Sequence, residues 1–183
     1  MDSPEPPEIQ LNYEKAIAGL GKICVEFQRL ETCLKAATGL LLDPTDFQVV
    51  TIVTAQLSFG AIIDLLYSLY RYRFQSQLED KELEKLNEYL GKCLKLASRR
   101  NQIIHSHWKP DLEEGNGALR TKHMAKKGKG LQSQKETVSE SDLEELAKGF
   151  QDLRETYLRD WAERVHRYDN WRALEESVRR QPI

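Results

Sequence analysis

No apolar run in this chain approaches the roughly 18 residues that cross a bilayer, so no membrane partner is expected. The first ten residues are rich in proline and acids and lack the basic and apolar regions of a secretory signal. Cysteine is scarce: Cys24, Cys33 and Cys93 form an odd set without a CxxC pair, at helical spacings among apolar residues. They read as reduced core thiols, and the expected location is cytoplasmic. A formal charge of −2 and a pI of about 6.1 exclude a uniformly basic surface, so any affinity for nucleic acid must be local. Also missing are a Walker loop, a Rossmann glycine fingerprint and a GxSxG elbow. Gly19-Leu20-Gly21-Lys22 lies in a helical pattern and lacks the Walker spacing, which argues against ATP-dependent chemistry.

What is present is helical periodicity. With 183 residues, 40% hydrophobic and 31% charged, the chain is long enough for one core and too short to argue for two. A flexible tail over 1–10 and a single helical domain over 11–180 are expected. Ile17, Leu20, Cys24, Phe27, Leu34 and Leu41 recur at intervals of three or four, or their sums, over 11–42. Asp43-Pro44-Thr45-Asp46 breaks that helix and caps the next. A second helix over 45–74 is nearly apolar all round, which predicts the deepest burial. A third over 79–104 carries Leu83, Leu86, Leu90, Cys93, Ala97, Arg100 and Ile104 on one seam, placing a permanent charge among apolar residues.

From 109 to 138 the periodicity disappears and four glycines interrupt polar runs, predicting a loop or a short β-hairpin. Ser139-x-x-Asp142 and Ser141-x-x-Glu144 then resemble capping boxes. The fourth helix continues through Phe150, Tyr157, Trp161, Val165, Tyr168 and Leu174. At 1.5 Å per residue it would extend about 60 Å, beyond its neighbours, leaving Trp161, Tyr168 and Trp171 for self-association or a bent terminus. The expected fold is all-α: a four-helix up-and-down bundle with a basic insertion and a long C-terminal helix.

Two features carry chemistry. Arg99-Arg100-Asn101-Gln102-Ile103-Ile104-His105-Ser106-His107-Trp108 packs guanidinium, amide and imidazole groups into the end of the third helix, and these suit phosphate oxygens and proton transfer. Directly after it, Arg120, Lys122, Lys126, Lys127, Lys129 and Lys135 lie in a stretch without Asp or Glu. On a helix Asn101 and His105 share a face, whereas Arg100 is rotated about 100° and must bend its side chain toward them.

Arg100-Asn101-x-x-x-His105, closing the third long helix of a helical chain, resembles the signature of the HEPN superfamily. Phe27-x-x-Leu30-Glu31-x-x-Leu34 and Leu57-Ser58-Phe59-Gly60 resemble segments common among its members, with less specificity. The resemblance implies a metal-independent endoribonuclease in which two chains set their motifs face to face, hence a homodimer acting on RNA. Arg100 would hold the scissile phosphate, His105 would act as general acid or base, and Asn101 would orient the phosphate or the imidazole. Glu31 is a weaker candidate that could equally pair with Arg100. His107, Arg120, Lys122, Lys126, Lys127 and Lys129 would contact RNA, with Trp108 expected in packing.

In this chemistry the 2′-hydroxyl attacks the adjacent phosphorus, so no metal and no cofactor is implied. By analogy the protein would be a toxin, a phage-defence effector or a regulated RNA processor, with an antitoxin or regulatory protein as a possible partner. Two rivals stand beside it. One is a metal hydrolase built on His105, His107 and His123 with Asp111, Glu113 or Glu114, although no HExxH or paired Asp cluster occurs. The other is a non-catalytic dimeric module binding RNA, a nucleotide or a protein.

Overall fold

In the computed structural model, residues 7–43, 45–74, 79–112, 118–126 and 130–167 are described. The protein is mostly helical, with a small antiparallel sheet. Five helices run over Pro7–Leu42 (α1), Phe47–Ala55 (α2), Phe59–Phe74 (α3), Asp80–Ile104 (α4) and Glu140–Asp160 (α5). After a turn at Trp161 a further helical stretch covers 162–167. Strands β1 (His107–Pro110), β2 (Ala118–Lys126) and β3 (Gly130–Val138) lie between α4 and α5. No helix among the described residues is long and apolar enough to cross a membrane.

The chain divides into two compact units whose boundaries fall inside α1, α4 and α5. The first comprises 1–27 and 95–151. In it the first half of α1 and the start of α5 run in the same direction: Gly19 faces Leu143, and Phe27 meets Phe150 edge to face at 5.4 Å. A strictly alternating course of four helices would set first and last in opposite directions, so the up-and-down expectation is corrected here. Ser139 caps α5 reciprocally. Its Oγ accepts from the Asp142 N–H at 3.2 Å, while Asp142 Oδ2 accepts from the Ser139 N–H at 2.9 Å. The hydrogen bonds from Ser139 hold the Asp142 carboxyl below its ordinary range.

The second unit comprises 28–94 and 152–183. Its core sets Ile62, Leu66, Tyr70 and Phe74 of α3 beside Tyr157 and Trp161. The Tyr70 hydroxyl donates to the Trp161 carbonyl at 2.9 Å, and Tyr89 Oη donates to the Leu153 carbonyl at 2.9 Å. Together with the Arg164–Glu82 ion pair at 2.8 Å, these contacts run α4 antiparallel to α5. Burial pushes the Tyr70 hydroxyl up to about 12.

Several local expectations change. The helix expected to begin at residue 11 starts at Pro7, a residue suited to a first turn. The single helix expected over 45–74 is two: Asp46 caps α2 through the Val49 N–H at 2.9 Å, and Ser58 caps α3 through the Ala61 N–H at 3.2 Å. α2 is not the most buried element either. Val50 and Thr54 are buried, but Val49, Ile52 and Val53 are 49%, 67% and 38% exposed, because a nine-residue helix apolar all round buries only one face. Trp161, expected on an overhang, is buried; Tyr168, Trp171 and Leu174 lie outside the described residues. Of the three thiols only Cys93 is in the core, with Cys24 and Cys33 half-buried.

Gly39 marks the closest approach in this unit. A Cβ there would collide with Val50 Cγ1 of α2. Gly39→Ala is therefore expected to cost about 1–3 kcal/mol as overpacking, read as a lowered urea midpoint at unchanged slope. A stability equal to wild type would show that α2 yields freely.

Candidate functional site

The C-terminal end of α4 carries the motif, and the strands that follow hold it in place. Arg120 Nη1 donates to the Gln102 carbonyl at 3.0 Å, and Trp108 Nε1 donates to the Ile103 carbonyl at 3.0 Å. Ser106 Oγ adds a bond to the Gln102 carbonyl at 2.5 Å. Carbonyls that a helix leaves unpaired at this end are thus satisfied by side chains. Trp108, expected in packing, is half-buried and caps the helix end.

β2 is central in the order β1-β2-β3, with His107 opposite Thr121, Thr121 opposite Lys135, and Arg120 opposite both Trp108 and Glu136. The insertion is therefore a hairpin extended by a third strand. Arg120, grouped by sequence with the RNA contacts, is corrected to a structural role: it is 1% exposed and ion-paired to Glu136. Arg99 reaches the same carboxylate at 2.8 Å. These partners, Arg99 first, hold the Glu136 carboxyl below its ordinary range against the opposing effect of burial.

Arg100 is arranged differently from its neighbours. Its guanidinium carbon lies 4.6 Å from the centroid of the buried Phe27 ring, which Phe150 supports from the side. Nη1 donates to Asn101 Oδ1 at 2.9 Å, so the side chain bends toward the Asn101 face as its helical offset required. Nε is buried and has no hydrogen-bond partner. No carboxylate pairs with Arg100 among the described residues. Glu31 pairs instead with Lys35 at 3.2 Å, one turn along α1.

His105 follows one turn after Asn101, its N–H donating to the Asn101 carbonyl at 3.2 Å. The imidazole is exposed and has no hydrogen-bond partner among the described residues. Arg100, Asn101 and His105 thus come from one helix end. His107 and Lys122, expected together as RNA contacts, fall on opposite faces of the sheet, His107 in the Thr121 row and Lys122 in the Gln134 row. Lys126 ends β2; Lys127 and Lys129 lie outside the described residues.

Among the described residues no three His, Cys, Asp or Glu side chains cluster closely enough to hold a metal ion. His123 Nδ1 shares a hydrogen bond with Ser133 Oγ at 2.8 Å, and Asp111 accepts from the Thr137 hydroxyl at 2.9 Å. Both candidate ligands are engaged elsewhere. Glu113 and Glu114 lie outside the described residues.

Sequence reasoning missed the Phe27 platform, visible only as one more core position, and the Arg99–Glu136–Arg120 bridge, whose members are 37 and 16 residues apart. No family model, no curated protein and no solved structure matches the chain.

Proposed function

We propose that the end of α4 is a phosphodiester-binding half-site, and that the protein is a metal-independent endoribonuclease of the HEPN type. The observation that carries this reading is Arg100: a half-buried guanidinium stacked on Phe27, with one buried N–H unpartnered and, among the described residues, no carboxylate to neutralise it. Such an arrangement is costly unless an anion completes it. A planar guanidinium suits the phosphoryl oxygens of RNA, while Asn101 and His105 stand beside it on the same helix end.

In this reading the Arg100 guanidinium stabilises charge building on the phosphoryl oxygens. His105 removes the 2′-hydroxyl proton or protonates the departing 5′-oxygen. One chain supplies only one such imidazole, so the composite site needs a second copy of the chain, with the two motifs converging on one phosphate. Lys126, Lys127 and Lys129, with either His107 or Lys122 according to the face of the sheet engaged, would hold flanking RNA. The resemblance of Arg100-Asn101-x-x-x-His105 to the HEPN signature supports the same reading, with a toxin, defence effector or regulated processor as its setting. The test is cleavage of total cellular RNA in excess chelator, alongside the mass in solution. A strictly monomeric, inactive protein would overturn it.

A second reading has its own support. Among the described residues the His105 imidazole has no hydrogen-bond partner that would orient it, as a positioned base ordinarily requires. A non-catalytic module using the same guanidinium to bind RNA, a nucleotide or a phosphorylated partner fits that feature, and it predicts binding without turnover.

A further inference from the structure

We infer that the outer face of the three-stranded sheet is a docking surface for the sugar-phosphate backbone of an RNA strand. The basis is the placement of the described carboxylate on one face of the sheet and of exposed, unpaired lysines on the other. Side chains alternate between faces along a strand, and residues directly opposite in an antiparallel pair share a face. The inner face holds Trp108, Ala118, Arg120, Lys122, Glu136 and Val138, and its carboxylate is spent on Arg99 and Arg120. The outer face presents His107, Lys109, His123, Ser133, Lys135 and Thr137, all exposed.

No exposed carboxylate shares that face among the described residues. Asp111, just beyond it, is 3% exposed and bonded to Thr137. Lys109 and Lys135 therefore carry charge that no carboxylate pairs with among the described residues. Strand geometry sets His107 and Lys109 about 7 Å apart along β1, with Lys135 about 10 Å away across β2. These intervals let one flexible polyanion engage all three.

The face also shows how the ligand would be read. Among the described residues the large aromatic beside it, Trp108, is turned inward to the Ile103 carbonyl, leaving only the small imidazoles of His107 and His123 as rings on this face. A surface of cations, imidazoles and hydroxyls without a tryptophan, tyrosine or phenylalanine platform contacts mainly phosphates and carries little sequence information. Among its residues of described burial none is an exposed large apolar side chain that could enter a bilayer, Leu119 being half-buried. A nucleic-acid backbone thus fits better than an anionic membrane. The identity of the ligand as RNA rests on the function proposed above; the surface itself shares neither Arg100 nor His105 with that site.

The test is a fluorescence-anisotropy titration of a fluorescein-labelled oligouridylate over a salt series. The proteins compared are wild type, Lys109→Glu/Lys135→Glu, Arg100→Ala, and Lys81→Glu/Lys85→Glu as an equal change in net charge on α4. Reversal on the outer face should weaken binding about tenfold and lower the salt slope by about 1.4, for two lost phosphate contacts on a single strand. The α4 control should do neither. Lys109→Gln/Lys135→Gln should give the same ranking with a smaller effect, covering any folding defect in the reversed variant. An unchanged slope in both outer-face variants, or equal weakening by the control, overturns the inference even if Arg100→Ala abolishes cleavage. Outer-face binding without cleavage by wild type would leave the surface standing and sink the nuclease. Binding to phosphatidylglycerol vesicles but not to the oligonucleotide would overturn both.

Discussion

Replacing His105 by alanine is expected to lower RNA cleavage in chelator by roughly 10²–10⁴-fold, the range typical of a lost general acid or base. RNA binding should change little, because the exposed imidazole makes no contact that shapes the helix end. Arg100→Ala should behave differently. Losing the guanidinium removes stabilisation of the phosphoryl charge, worth about 10²–10³-fold in rate, and weakens binding as well. Arg100→Lys should not restore activity, since an ammonium neither spans two phosphoryl oxygens nor stacks flat on Phe27. Single-turnover rates and anisotropy titrations separate the two effects. A His105→Ala protein that cleaves at the wild-type rate in chelator removes His105 from the chemistry; one that binds but never cleaved as wild type selects the non-catalytic module.

The largest stability loss is expected at Glu136. Arg120 is 1% exposed, and its charge is compensated by this carboxylate. Glu136→Ala leaves that guanidinium buried and unneutralised, at a cost of about 3 kcal/mol, the low end for a broken buried pair because the carboxylate is itself partly exposed. In a chain of this size that corresponds to a drop of about 6–12 °C in Tm by calorimetry.

The effect depends on pH with a definite sign. The folded Glu136 pKa lies below its unfolded value, so the pair contributes above the unfolded pKa and is lost as pH falls through the folded one. Acid should therefore narrow the gap between wild type and variant. A constant gap across that range would show that Glu136 does not act through its charge.

Much of the arrangement was legible because it is local. Ser139 with Asp142, and Asp46 before α2, announce helix starts by residue type, and the spacing of Arg100, Asn101 and His105 fixes their relative angles on α4. The break at 56–58 was harder to read: it lacks glycine and proline, and Ser58 alone marks it. The division of that stretch into α2 and α3 follows from that missed break. Arg120 was misread because composition counts it with the hairpin lysines, whereas its burial depends on facing Glu136 across the strands. The Phe27 platform is likewise a tertiary fact, set by where α1 passes Arg100.

Phosphate groups ordinarily favour the opposite end of a helix. The macrodipole places roughly half a negative elementary charge at a C-terminus, where an anion is repelled. At the end of α4 that sign is overturned among the described residues: Arg99, Arg100 and Arg120 stand against the carboxylate of Glu136 and, through Arg99, that of Asp142, three positive charges less two negative leaving one. Arg120 and Trp108 also occupy the carbonyls through which the terminus would express its negative end. The helix thus gives up its intrinsic polarity at this point, and an anion approaching Arg100 meets an attractive field that the peptide backbone alone would have denied it.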